Sequence, residues 1–132
     1  MLTMVSKTRV EGKKGEAVGC NYLQNKGFSL ITMNYTCQYG EVDIIAEKGD
    51  EIIFVEVKTR KRDLSAAFSS VSVRKRIRLI RSAVHFLQNN PEFEGHCMRF
   101  DVIGLIYNNH TGLYKISHLE DAFRVEELED FL

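Results

Sequence analysis

The sequence predicts a mixed α/β fold, a mixed β-sheet flanked by helices with the element order αβββαββα. Short runs of apolar, β-branched and aromatic residues separated by turn residues are typical of strands. Longer segments that repeat apolar residues at spacings of three and four are typical of helices. The 132 residues, 44% of them hydrophobic, suit a single domain over residues 1–132, with a core at about 12–107 and a C-terminal strand and acidic helix at 113–132.

The first half of the chain predicts one helix followed by three strands. Residues 11–26 form the helix, with Ala17, Cys20 and Leu23 near one face and Gly27 as the C-terminal cap. Glu16 lies in line with Cys20 and Leu23, so its carboxylate points toward the edge of the buried side. The strands are predicted at residues 28–38, 40–47 and 51–59.

The second half predicts a helix, two strands and a terminal helix. After a Ser- and Ala-rich connection at 63–71, Ser70 or Ser72 can cap a helix that Asn89-Asn90-Pro91 ends. Apolar residues of this helix recur at spacings of four and three and are expected to face the core: Val73, Ile77, Ile80, Val84 and Leu87. Strands are predicted at 98–107 and 113–119, and an acidic helix at 120–132.

The net charge of zero conceals a strongly basic segment. Residues 58–81 hold nine basic residues and one acidic residue, a net charge of +8. Such a local field attracts a polyanion by neutralising phosphates and releasing counterions, although a solvated helix face is the alternative. The candidate phosphate contacts are Arg60, Arg74, Lys75 and Arg78. The segment therefore suggests a nucleic acid, DNA or RNA, as the partner.

Membrane and zinc-binding classes are not indicated. No apolar run approaches the ~18 residues of a membrane span, and the N-terminus lacks the apolar region of a signal peptide. We therefore expect a cytoplasmic protein without a membrane partner. Cys20, Cys37 and Cys97 are far apart and form no CxxC pair, which favours reduced thiols over a disulfide framework or zinc ribbon.

The second and third strands place charged residues within an apolar hairpin. A Gly49-Asp50 turn sets Asp43 opposite Glu56, whereas a Lys48-Gly49 turn sets Asp43 opposite Phe54. Either two-residue turn gathers four charged side chains on one face: Glu41, Asp43, Glu56 and Lys58. The other face is expected to hold Val42, Ile44, Ile53, Val55 and Val57.

Carboxylates on neighbouring strands repel each other unless a cation lies between them. Mg²⁺, with Mn²⁺ as an alternative, prefers oxygen ligands, so we expect Asp43, Glu56 and the Val57 carbonyl as ligands and Glu16 approaching from the first helix. Lys58 could then orient the attacking water or stabilise charge on a scissile phosphate. Taken alone, Glu-x-Lys is more often a surface salt bridge, and a glutamate such as Glu16 more often lies at the rim of a core.

The stretch GEVDIIAEKGDEIIFVEVKTRKR, preceded by GEAVGCNYL and Asn34 and followed by VRKRIRLIRSAVHFL and RFDVIG, closely resembles the YraN-like family of uncharacterised proteins. The likeness runs from about residue 15 to residue 107. That family is similar to the restriction-endonuclease-like PD-(D/E)XK superfamily and to archaeal Holliday junction resolvases. The resemblance implies a restriction-endonuclease-like fold, in which Asp43, Glu56 and Lys58 match the superfamily's Asp, Glu and Lys, and Glu16 its first-helix Glu.

This resemblance implies a Mg²⁺-dependent endonuclease acting on branched or structured DNA, and a homodimer. Lys75 matches a family lysine, although Val73-Arg74 stands where Pro-Arg is common. Glu41 and Asp101 also match; we expect Glu41 to support or cap the site, and Asp101 to make a structural hydrogen bond. The alternatives are a non-catalytic DNA- or RNA-binding module that acts with a protein partner, and a structural interaction domain in which the carboxylates are accidental.

Overall fold

The computed structural model of the chain describes residues 7–60 and 71–132, with side chains described from residue 14 onward. Lys61, Arg62 and most of the Ser- and Ala-rich connection lie outside the described residues. The helices are α1 (Lys7–Asn25) and α2 (Val73–Asn89), with short 3-10 segments at Pro91–Phe93 and Val125–Phe131. The strands are β1 (Ser29–Cys37), β2 (Gly40–Lys48), β3 (Glu51–Arg60), β4 (Cys97–Tyr107) and β5 (Tyr114–Phe123).

The five strands form one mixed sheet in the order β1-β2-β3-β4-β5. The β3–β4 pair is parallel and the other neighbouring pairs are antiparallel. A parallel pair needs a long crossover connection, which α2 supplies between β3 and β4. The mixed α/β class and the order of helices and strands predicted from the sequence are confirmed.

The hairpin register is the first of the two that the sequence allowed. Lys48 pairs with Glu51, so Gly49-Asp50 is the two-residue loop, and Gly49 adopts the positive φ of 61° that this type of turn requires. Pairing continues only as far as Ile44 and Val55. The strands therefore part at the position where Asp43 and Glu56 would face each other.

Two apolar clusters cover the two faces of the sheet. On the α2 side, Phe54 packs with Phe86 and Phe100, and on the α1 side Ile53 packs with Leu23 and Ile103. Val42 belongs to the α2 side and Ile44 to the α1 side, so the prediction that both residues share a face is wrong. Alternation breaks between the Met33–Ile44 and Tyr35–Val42 pairs of β1 and β2, where Asn34 of β1 has a positive φ of 53°.

Glycines bring α1 close to the sheet. A Cβ at Gly15 would lie 2.7 Å from Thr59 Oγ1, and a Cβ at Gly19 would lie 3.3 Å from Ile44 Cδ1. The face of α1 that contacts the sheet is therefore built from small residues as well as Cys20 and Leu23, which are buried. Ala17 was expected near the buried face but is exposed, because the helix contacts the sheet through Gly15 and Gly19. The hydrophobic pattern alone did not indicate that glycines form this contact.

Helix α2 starts as predicted, but the face that it turns toward the sheet is not the predicted one. Ser72 is its N-cap and accepts a hydrogen bond from the Lys75 amide. Val73 and Val84 were expected in the core but remain 41% and 40% exposed. The buried positions are Leu79, Ile80, Ser82, Ala83 and Phe86. The predicted and the observed faces of α2 both carry apolar residues at helical spacing. The face that packs against the sheet is the one with the large Phe86 and the small Ser82 and Ala83.

The chain after β4 differs from its prediction. Residues 120–123 continue β5 instead of starting an acidic helix, and the helical segment at Val125–Phe131 is a 3-10 helix. Phe123 is buried and stacks on Phe100 with ring centroids 4.8 Å apart, so packing overrides the acidic composition. No helix in the described part of the chain is long and apolar enough to cross a membrane.

Candidate active site

The candidate site lies where β2 and β3 separate. Beyond the Ile44–Val55 pair, the Val57 amide donates a hydrogen bond to Asp43 Oδ2 at 2.8 Å. The Asp43 side chain thus satisfies a backbone donor of the neighbouring strand. This bond fixes Asp43 at the open end of the hairpin.

Three carboxylates converge at this point. One carboxylate oxygen each from Glu16, Glu41 and Asp43 lies within 4.8 Å of the other two. Glu16 reaches the cluster because Gly15 allows α1 to approach Thr59 on β3. Oxygen atoms at this mutual distance suit a hard divalent cation, which is coordinated by carboxylates and water.

The electrostatics of Asp43 reflect this crowding. Burial, followed by the nearby charge of Glu56, raises the pKa of Asp43 from 3.8 to about 7. Glu16 and Glu41 also raise it, whereas the Val57 amide opposes the change. A cation would favour the ionised form, so cation binding near neutral pH is coupled to release of the Asp43 proton.

Glu56 is buried and shared between two lysines. Its Oε1 lies 3.1 Å from Lys58 Nζ and 2.6 Å from Lys75 Nζ. Burial, together with the neighbouring Lys75 ammonium, lowers the pKa of Lys58. The lysine predicted as an aid to catalysis therefore loses its proton more readily than an ordinary lysine.

An open cleft of about 410 Å³ contains Asp43, Glu56 and the start of α2. Arg74 and Arg78 line it and are exposed. Gly40, which has a φ of +146°, brings the start of β2 against α2, where a Cβ would lie 3.7 Å from Arg78 Cβ. The cleft thus combines carboxylates at its base with arginines along one wall, an arrangement suited to a phosphate ester and its counter-cation.

The predicted site residues divide into those that converge and those that do not. Glu16 joins Asp43, but Glu56 is not in the three-carboxylate group and instead contacts the lysines. Val57 contacts Asp43 through its amide, and the prediction that its carbonyl binds a metal stays a prediction. Arg60 donates from Nη1 to the Thr59 carbonyl at 2.9 Å and does not line the cleft.

Glu41 was expected only to support or cap the site, yet its carboxylate lies in the cluster itself. The sequence did place it two residues before Asp43 on the same strand. Its contact with Glu16 could not be predicted from the sequence, because that contact depends on how α1 packs against the sheet. Glu41 is the functional candidate that sequence reasoning undervalued.

The model of the uncharacterised protein family UPF0102 matches residues 15–105 of the chain. The chain belongs to this family. A relative from Nitrosococcus oceani, named only as a UPF0102 protein, is 38% identical over 119 residues, covering 89% of this chain and 94% of the relative. One from Desulforamulus reducens is 38% identical over 113 residues, covering 84% and 93%, and one from Pseudomonas aeruginosa is 32% identical over 123 residues, covering 92% and 98%.

These matches confirm the resemblance to the YraN-like family, which is the UPF0102 family. The matched range contains the converging side chains of the candidate site: Glu16, Glu41, Asp43, Glu56, Lys58 and Lys75. The names of these relatives assign no activity to the family.

Asp101, also within the matched range, has the structural role that the sequence predicted. It is buried and accepts hydrogen bonds from Arg99, from His118 Nε2 at 2.7 Å and from the Asp121 amide at 3.0 Å. Burial alone would raise the pKa of Asp101, but the bonds from His118 and Arg99 outweigh it and hold this pKa below its usual value. Asp101 ties β5 to β4 on the side of the fold away from the cleft.

Proposed function

We propose that the chain is a divalent-cation-dependent nuclease that hydrolyses phosphodiester bonds in branched or structured DNA. The observation that carries the proposal is the convergence of Glu16, Glu41 and Asp43 carboxylate oxygens within 4.8 Å. Glu41 and Asp43 also line the cleft that holds Glu56 and the exposed arginines. Repulsion among carboxylates is costly in a part-buried position, and a cation at that position would relieve it. The PD-(D/E)XK likeness of the sequence supports the same assignment.

Glu16, Glu41 and Asp43 are the residues that would hold Mg²⁺ or Mn²⁺. Their donors are all hard carboxylate oxygens, which match these ions better than softer metals. A bound cation supplies polarisation of the scissile phosphate and a lowered pKa for an attacking water. The Val57 amide keeps Asp43 oriented toward the cluster whether or not the carboxyl is ionised.

The lysines and arginines have separate roles in this proposal. Lys58, with its lowered pKa and only 15% of its side chain exposed, can accept a proton from water or donate a hydrogen bond to a phosphate oxygen. Lys75 neutralises Glu56 and so holds this carboxylate in the buried wall of the site. Arg74 and Arg78 can bind the backbone phosphates on either side of the scissile bond.

A non-catalytic DNA- or RNA-binding module acting with a protein partner is the second candidate. The observation favouring it is that Glu56, expected as a metal ligand, already contacts two ammonium groups. In that case the lysines would stabilise the cleft, and the arginines alone would contact nucleic acid.

A homodimer, suggested by the likeness to junction resolvases, would supply two symmetric sites for the nuclease.

Cleavage and binding measured in the same samples separate these functions. End-labelled single-stranded, duplex, flap and four-way-junction DNA are incubated with native protein in Mg²⁺, Mn²⁺ or EDTA, and with Asp43→Asn and Lys58→Ala. Glu92→Gln, on the exposed Pro91–Phe93 turn, is the matched control. The nuclease proposal expects metal-dependent cutting that both site variants lose and the control retains. Binding without cutting by native protein would support the second candidate, and sedimentation of the same sample reports the oligomeric state.

A further inference from the structure

A second cleft, of about 420 Å³, adjoins the proposed active site along α2. Tyr39, Arg81, Val84 and His85 are among the residues that line it. Tyr39 and Val84 are each 40% exposed, which is high for large apolar side chains. The proposed hydrolysis makes no use of this cleft, although its volume falls within the ~300–1,000 Å³ typical of small-molecule sites.

The two clefts are connected by one face of α2. Arg74, Arg78, Arg81 and His85 follow one another at spacings of four, three and four, and so form a single stripe. The first two line the active-site cleft and the last two line the second cleft. A polyanion held at Arg78 therefore meets further cationic and polar side chains as it follows the helix toward His85.

The far end of the stripe is aromatic. The Tyr35 hydroxyl is hydrogen-bonded to His85 Nδ1, which fixes the orientation of the imidazole. Tyr39 meets this ring edge-on, with centroids 6.1 Å apart and an interplanar angle of 67°. Tyr39 lies in the β1–β2 turn immediately before Gly40, which lines the active-site cleft. A pre-oriented aromatic pair thus stands beside arginines, next to the proposed point of hydrolysis.

We propose that the second cleft is a subsite for an unpaired nucleobase of the DNA strand whose backbone follows Arg74, Arg78 and Arg81. This inference rests on the proposed function in taking DNA as the ligand, and its distance from the cut also rests on hydrolysis beside Arg78. Bases of single strands stack on aromatic side chains while cationic side chains track the phosphates, and this combination is present here. An intact duplex keeps its bases stacked internally and could engage the stripe alone.

The distance along the helix places this base. Seven residues from Arg78 to His85 correspond to about 10 Å at 1.5 Å per residue. That length equals about three steps of 3.4 Å in a stacked strand, and fewer in an extended one. The base in the second cleft therefore lies about two to three nucleotides from the bond that is cut. The substrate class is DNA with unpaired nucleotides close to the cleavage point.

Binding in EDTA tests this subsite without requiring catalysis. Fluorescence anisotropy compares an oligothymidylate of about 20 nucleotides, longer than the ~4–16 nucleotides of a typical binding site, with a hairpin duplex of the same charge. The variants are Tyr39→Ala, Tyr39→Phe and, as a control of matched exposure on β5, Leu119→Ala, since Leu119 is 41% exposed. Thermal unfolding verifies that each variant is folded.

The subsite predicts that Tyr39→Ala weakens single-strand binding by about 5- to 150-fold, the loss expected for one stacked base. Tyr39→Phe and Leu119→Ala keep native affinity, and duplex binding is unchanged in every variant. A fully abasic strand of the same length should bind native protein more weakly than oligothymidylate does, and this difference should shrink in Tyr39→Ala. This coupling distinguishes stacking from a general change in the surface.

Three results would overturn the inference: no single-strand binding by native protein, equal losses for single strand and duplex in Tyr39→Ala, or a change of oligomeric state in Tyr39→Ala. The last would make the cleft an interface between copies of the chain. Failure of the nuclease proposal is separate, because Tyr39-dependent single-strand binding without any cleavage would leave the subsite standing. Cleavage with Tyr39-independent binding would remove the subsite and leave the nuclease.

Discussion

Asp43→Asn should stabilise the protein while it removes the proposed cation site. The native carboxyl is held near Glu16, Glu41 and Glu56, and its pKa is raised to about 7. Asparagine keeps an oxygen that can accept the Val57 amide hydrogen bond but carries no charge. Replacement therefore removes the cost of burying a charge, together with the repulsion from neighbouring carboxylates, which the folded state bears and the unfolded state does not.

The magnitude follows from linkage. The pKa of Asp43 is higher in the folded than in the unfolded chain. The contribution of Asp43 to the free energy of unfolding is therefore most favourable below pH 4 and is lost as the pH rises to about 7. The difference between 3.8 and about 7 sets an upper limit of about 4 kcal/mol at pH 8. Asp43 is only half-buried, so solvent screening reduces the expected gain to about 1–2 kcal/mol. For a chain of this length that gain raises Tm by about 4–8 °C.

Thermal unfolding in EDTA at pH 8 and pH 5 measures the effect, with Glu92→Gln as the control. The stability gained by Asp43→Asn should be smaller at pH 5 than at pH 8, because more of the native carboxyl is protonated at pH 5. Mg²⁺ should raise the Tm of native protein and leave that of Asp43→Asn unchanged. A lower Tm for Asp43→Asn than for native protein at pH 8 would refute the account of repulsion at this site.

Three further predictions concern the groups around the site and the core. Gly15→Ala should lower the free energy of unfolding in urea by about 1 kcal/mol, because overpacking against Thr59 exceeds the gain in helix propensity. Thr59→Ala in the same chain should restore stability, and failure of this rescue would contradict the close approach of α1 to β3. Lys75→Met should lower the unfolding free energy by about 1–2 kcal/mol, less than for a fully buried pair because Lys75 is 36% exposed, whereas Lys75→Arg should be near native. Asp101→Asn should cost about 3 kcal/mol at neutral pH, and this cost should shrink below about pH 4, where the lowered pKa of Asp101 is approached; a pH-independent cost would refute the ionic network.

Local patterns were sufficient for most of the fold. The turn residues between two apolar runs predicted the hairpin and two possible registers, and the structure has the one with the Gly49-Asp50 loop. The rotation of α2 could not be predicted, because Val84 and Ala83 lie on adjacent arcs that are both apolar, and only contact with the sheet selects between them. β5 extends to Phe123 because packing on Phe100 outweighs the acidic residues before it.

The residues of the candidate site were predictable where their position depended on strand alternation or helical spacing. Contacts that depend on how the helices pack against the sheet were not. Asp43 and Glu56 were found from the apolar flanks of charged residues, and Glu16 from helical spacing. Alternation also placed Glu41 on the face of Asp43, but its convergence with Glu16 depends on how α1 packs against the sheet. The link between Glu56 and Lys75 likewise depends on how α2 packs, which no local pattern encodes.

Titration of Mn²⁺ into the purified chain by calorimetry at pH 8 tests the central claim, that the carboxylates at the parting of β2 and β3 hold a divalent cation. Native protein and Glu92→Gln should bind a single ion of the same affinity, Glu41→Gln should bind more weakly, and Asp43→Asn should not bind. Native affinity should fall by up to about tenfold per pH unit below pH 7, because the Asp43 proton competes. Equal binding by native protein and Asp43→Asn, or no binding by native protein, would contradict the account.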